Sequence, residues 1–105
     1  MAWIYLIIAG LLEVGWALGL KIAQNPALRE AGWGLAALCI IGSGFFLWLA
    51  QKHISMGTAY AVWTGIGVLG TFWIGVFFFE DQLNTGRVFS VMLIVAGVIG
   101  LKFAD

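Results

Sequence analysis

Residues 3–20 read WIYLIIAGLLEVGWALGL, and this stretch decides the fold. It carries one charged side chain, Glu13, in an otherwise almost unbroken apolar run. About 20 apolar residues are what a helix needs to cross the hydrocarbon core of a bilayer. A cleaved leader would begin with a basic segment and end at a small-residue cleavage site. Here there is no basic start, and an acid sits in the middle of the run, so the segment reads as a retained helix.

Three further runs follow the same pattern. Residues 31–50 and 57–79 contain no charge, and residues 83–101 contain only Arg87 near the start. Between them lie short polar stretches: Lys21–Glu30 with the turn signal Asn25-Pro26, Gln51–Met56, Glu80–Gln82, and a tail from Lys102 to Asp105. Backbone exposed to lipid must satisfy its own hydrogen bonds, so the spans are helices. The ten-residue alternation of a membrane β-barrel is absent. The reading is an all-α membrane protein with four transmembrane helices in one domain, residues 1–105.

Composition agrees. The 105 residues are 63% hydrophobic and 10% charged, against about 25% charged in soluble domains. Five basic and five acidic residues give a formal net charge of zero. Nucleic-acid binding, which needs a basic face, is excluded. The lone Cys39 excludes an internal disulfide framework and a Cys-rich metal site. No Ser/His/Asp set, metal-ligand spacing or phosphate loop is present, so neither an enzyme nor a cofactor or metal protein is expected.

Glu13 is the informative residue. An ionisable group at mid-membrane costs about 2.5–3.5 kcal/mol on insertion scales and reads as a functional site. No basic residue occupies the middle of another span to pair with it. A proton or an arriving organic cation can neutralise it, and the two would compete. Its face carries Ala9, Gly10, Trp16 and Ala17 at three- and four-residue spacing. Trp3, Trp33 and Trp48 lie near span ends and fit the interfacial aromatic belt. Trp16 is too deep for that and is placed to flank a cation; simple packing is its other reading.

In the third span, Tyr60, Trp63 and Thr64 share a face, with Tyr60 a donor for a carboxylate and Trp63 a second wall. Gly65 and Gly67 follow, then Gly70. They suit either close packing or a bend that differs between two states. Ser43, between Gly42 and Gly44, puts a hydroxyl at mid-membrane; bonding to its own backbone is its plainer role. Ser90 and Gly97 lie seven residues apart on one face of the fourth span and read as a dimer seam, with packing inside one chain as the alternative.

Basic residues favour the cytoplasmic side. Lys21, Arg29 and Arg87 fall on one side of the membrane, Lys52 and Lys102 on the other. The bias is close to nil and permits insertion both ways. Transporters commonly hold their site between two inverted repeats. This chain has one repeat and would obtain the second from an inverted copy of itself.

The segments Met1–Ile4 (MAWI), Leu12–Ala17 (LEVGWA), Gly57–Gly67 (GTAYAVWTGIG) and Gly97–Lys102 (GVIGLK) resemble the small multidrug resistance family over nearly the whole chain. Trp16 and the Trp63-Thr64 pair are similar to its guanidinium-exporting subtype. The resemblance implies an antiparallel, dual-topology homodimer in a bacterial inner membrane, exchanging protons for guanidinium-type cations. Broad export of hydrophobic quaternary ammonium cations is the alternative. It implies that Glu13 is the shared proton and substrate carboxylate, and that Trp16, Ser43, Tyr60 and Trp63 line the site and orient that carboxylate. It also implies that Gly65 and Gly67 are a flexible point and that Lys102 matches a basic residue ending the fourth helix. Ser55, the Glu80-Asp81-Gln82 loop, Ser90, Pro26 and Arg29-Glu30 depart from the family's usual pattern.

Overall fold

The computed structural model describes residues 1–104. Four helices are long and apolar enough to cross a membrane: α1 (Ala2–Ile22), α2 (Arg29–Ala50), α3 (Met56–Phe78) and α4 (Thr85–Ala104). A short 3-10 turn, Pro26–Leu28, precedes α2. At 1.5 Å per residue such helices are about 30 Å long, matching the hydrocarbon core.

The helix ends differ from the apolar runs in an instructive way. Lys21 lies in the last turn of α1 and Lys102 in that of α4, whereas Glu30 lies in the first turn of α2. The Lys21–Glu30 stretch is therefore mostly helix, not loop. Lys21, Lys102 and Glu30 each sit at the end of the helix dipole that favours them, whereas Arg29 opens α2 at the end that does not; helical pairing continues into the headgroup zone where hydropathy has already turned polar. The expected Glu80–Gln82 loop also widens, to Phe79–Asn84. It is closed by two backbone bonds to the Gly75 carbonyl, from Phe79 and Asp81, each 3.0 Å. The chain turns there on Glu80, which adopts φ 58°, a left-handed conformation uncommon for residues other than glycine. Asn84 opens α4 by accepting from the Arg87 amide at 2.9 Å.

α1 is the central element. It packs most extensively on α2, then on α3, while α4 leans chiefly on α3. At the end carrying the N-terminus, Leu6, Ala50, Ile54, Ala59 and Val62 form the buried core. At the opposite end α1 and α2 touch backbone to backbone. A side chain on Gly32 would strike the Ala23 amide and the Gly19 carbonyl, and one on Gly19 would strike Gly32 and Ala36. In lipid, where burial of apolar surface does not drive helices together, small residues of this kind let dispersion and close approach do so. Four of the basic side chains lie over aromatic rings near the helix ends: Lys21 on Phe79, Lys52 on Trp48, Arg87 on Phe72 and Lys102 on Trp3.

The chain measures 44 × 34 × 16 Å. The thin dimension is little more than one helix with its side chains. α4 is almost wholly uncovered, with Phe89, Leu93, Ile99 and Phe103 exposed. Ser90 and Gly97 both lie on this exposed helix; Ser90 bonds its own Gly86 carbonyl at 2.8 Å, and no side chain approaches Gly97.

Candidate functional site

Glu13 is half-buried on α1, and the Trp16 indole N–H donates to its Oε1. Their three-residue spacing puts both on one helix face, so the contact is local. Glu13 is held from the other side by α3. Its Cγ packs on Gly67 so closely that a Cβ there would lie 2.5 Å from it. The absence of a side chain at residue 67 is what lets the carboxylate stem lie flat against α3. Glu13, Trp16, Thr64, Gly67 and Thr71 line a recess of about 200 Å³ between the two helices.

Behind this pair runs a second polar line that crosses three helices. The Trp63 indole N–H on α3 donates to Ser43 Oγ at 2.7 Å, and the fully buried Ser43 hydroxyl on α2 donates to the Ala9 carbonyl on α1, also at 2.7 Å. Ser43 therefore bonds a neighbouring helix, not its own backbone. Ala9 stands one turn before Glu13, so the hydroxyl fixes α1 where the acid projects. Tyr60 is exposed and lies against Trp63, with ring centroids 5.3 Å apart.

The structure thus brings Glu13 with Trp16, and Ser43 with Trp63 and Tyr60, in two adjoining groups. Gly65 and Gly67 lie inside α3, which runs as one helix past them. Both serve close approach here: Gly67 receives Glu13, and Gly65 receives Val98 of α4. Packing is therefore their visible role.

Among the recess residues, Thr71 is one that sequence reasoning did not single out. The Thr71 hydroxyl donates to the Gly67 carbonyl at 2.7 Å and also reaches the Val68 carbonyl at 3.2 Å. The buried Thr64 hydroxyl, by contrast, has no hydrogen-bond partner among the described residues. The signal was available for Thr71, because residues 64, 67 and 71 recur at helical spacing on one face of α3. No group of three His, Cys, Asp or Glu side chains among the described residues is arranged to hold a metal ion.

Chemically, the arrangement offers one carboxylate midway along an apolar helix, held by an indole donor at the edge of a small recess. It suits reversible binding of a proton or a small cation. The family described as Small Multidrug Resistance protein matches residues 1–94. A protein of Yersinia pseudotuberculosis serotype I (strain IP32953) named "Guanidinium exporter" is 46% identical over 105 residues, covering 100% of both chains. Proteins of the same name from Proteus vulgaris and Escherichia coli (strain K12) are 41% identical over 105 residues and 42% identical over 104. The first covers 100% of both chains, and the second covers 99% of this chain and 98% of the relative.

Proposed function

The chain belongs to the small multidrug resistance family and is a multi-pass protein of the bacterial inner membrane, and from that premise we propose that it exports guanidinium and related small guanidinyl cations in exchange for protons. The observation that carries this reading is the Glu13–Trp16 pair at mid-helix, open to the α1–α3 recess. With the Trp16 N–H on Oε1, the carboxylate keeps Oε2 and spare lone pairs for an incoming donor. A guanidinium is planar and presents N–H groups that match a carboxylate in paired hydrogen bonds. A quaternary ammonium presents none. Trp16 and Trp63 supply flat faces suited to a planar cation. Proton and guanidinium neutralise the same carboxylate, so each displaces the other.

The working unit in this reading is an antiparallel, dual-topology homodimer. A chain 16 Å thin cannot by itself surround a cation and keep water out. An inverted copy supplies the missing wall and a second Glu13, and alternating access then exchanges two like halves. The exposed face of α4 with Ser90 and Gly97 is the seam, since Gly97 leaves room for a partner helix. Gly65 and Gly67 provide the place where α3 changes shape between states. Ser43, Tyr60 and Trp63 position α1 and complete the wall around the acid.

Reconstituted protein on a solid-supported membrane tests the transport reading. Guanidinium jumps produce transient currents and tetraalkylammonium jumps produce much smaller ones. Equal currents for both would favour broad quaternary-ammonium export, and currents for neither would remove transport. Topology is tested separately: a reporter fused after Asp105 appears on both sides of the membrane in comparable amounts. Confinement to one side would rule out a dual-topology homodimer.

A further inference from the structure

Glu13 is one of two carboxylates that border the α1–α3 groove. A second recess, of about 170 Å³, lies further along the same pair of helices and shares Ala17 and Thr71 with the first. Its far rim is formed by Lys21, Phe79 and Asp81, at the end of the bundle where α1 stops. The spacing along the groove follows from two glycine contacts. Glu13 packs on Gly67, and the Asp81 carboxylate packs on Gly75, two turns later on α3. Eight residues of helix separate the contacts by about 12 Å, with Thr71 halfway. The Thr71 hydrogen is directed to the Gly67 and Val68 carbonyls, so towards a ligand its oxygen is an acceptor. Asp81 is exposed. Lys21 sits with its ammonium 5.9 Å from the Phe79 ring centroid, and neither residue is ion-paired among the described residues.

We propose that this groove is the cation's path and that Asp81 is an outer binding station for guanidinium, with Thr71 the acceptor between it and Glu13. The inference rests on the transport reading above. The three oxygen-bearing groups stand about one helical turn apart along the axis, each step about 6 Å. A guanidinium, with N–H donors on three nitrogens, can bond the next acceptor before releasing the last. Asp81 raises the local cation concentration at the mouth, as an unpaired carboxylate beside a low-dielectric wall does. Lys21 opposes it and sets an upper bound on occupancy. In an inverted dimer one such groove opens to each side, so the station serves entry on one face and release on the other.

Proteoliposomes carrying wild type, Asp81→Asn, Asp81→Glu, Thr71→Val and Thr71→Ser provide the test. Guanidinium uptake is measured against concentration at low and high ionic strength, and equilibrium affinity is measured by calorimetry. Asp81→Asn raises KM about fivefold with kcat nearly unchanged, and the penalty shrinks at high salt as screening removes the steering. Asp81→Glu restores KM. Thr71→Val lowers kcat about threefold, because the handover loses its middle acceptor, and Thr71→Ser restores it. Equilibrium affinity at Glu13 stays within twofold of wild type in the Asp81 variants. An unchanged KM in Asp81→Asn, a salt-independent effect, or a parallel loss of equilibrium affinity would overturn the outer station, the last by showing a structural role instead. Wild type that transports no guanidinium sinks the transport reading itself, whereas normal wild type with a normal Asp81→Asn variant sinks only this inference.

Discussion

Glu13→Gln abolishes guanidinium-driven currents while the protein still inserts and elutes as a folded dimer. The amide has the shape of the carboxylic acid. Its Oε1 still accepts from the Trp16 indole, and its stem still packs on Gly67. What it lacks is charge and a titratable proton. A cation bound at membrane depth without its counter-charge loses about 3–5 kcal/mol, which weakens guanidinium binding on the order of 10²- to 10⁴-fold. Proton coupling disappears altogether, because the amide carries no titratable proton. Electrophysiology and calorimetry on the same preparation check both effects. A Gln variant that still concentrates guanidinium against its gradient would remove Glu13 from the mechanism.

Apparent guanidinium affinity falls as pH falls, and levels off at high pH. The sign follows from linkage. Under the proposed exchange, proton and cation compete for the same carboxylates, so each weakens the other by the same factor. Lowering the pH fills the carboxylates with protons, and guanidinium must then displace them to bind. Each proton exchanged contributes a slope of about tenfold in affinity per pH unit through the titration range, and two facing Glu13 residues allow up to about a hundredfold. Above that range the carboxylates are already free, and the affinity is constant. Calorimetry across a pH series, in buffers of different ionisation enthalpy, reads both the affinity and the protons released. Flat affinity with no proton release would leave a uniporter or a channel. The same competition limits leak, since an empty, ionised site leaves buried charge unneutralised and resists crossing the membrane.

In the proposed exchange, Trp16 is the residue that would set which cation gains. Its ring flanks the acid, and its N–H holds one carboxylate oxygen. The four-residue turn from Glu13 to Ala17 places a small side chain beside both, and Ala17 lines both recesses of the groove. On the proposed reading, selectivity for a planar donor over a bulky quaternary cation rests on one large residue and one small one on the same helix. Specificity of this kind is a difference of affinities, with the indole rejecting bulk as well as attracting charge.

The parts of this protein that were legible from its sequence are those set by one helix and one solvent. Lipid demands long apolar runs with internally satisfied backbone, so four helices followed from hydropathy, although their ends ran past the apolar runs into charged residues. The 3.6-residue repeat put Trp16 on the face of Glu13 without reference to any other helix. Only the tertiary structure decided how the helices meet. The helices are apolar nearly all round, so hydropathy marks no face for a neighbour. Contact between them goes instead to the positions where backbones can approach: Gly19 on Gly32, Gly65 on Val98, Gly67 on Glu13. Those contacts set the register, and the register placed the Ser43 hydroxyl between Trp63 and Ala9 instead of on its own backbone. It also brought Asp81 back onto Gly75 at the mouth of the groove, across a turn on Glu80 that the sequence alone marked only as a charged loop.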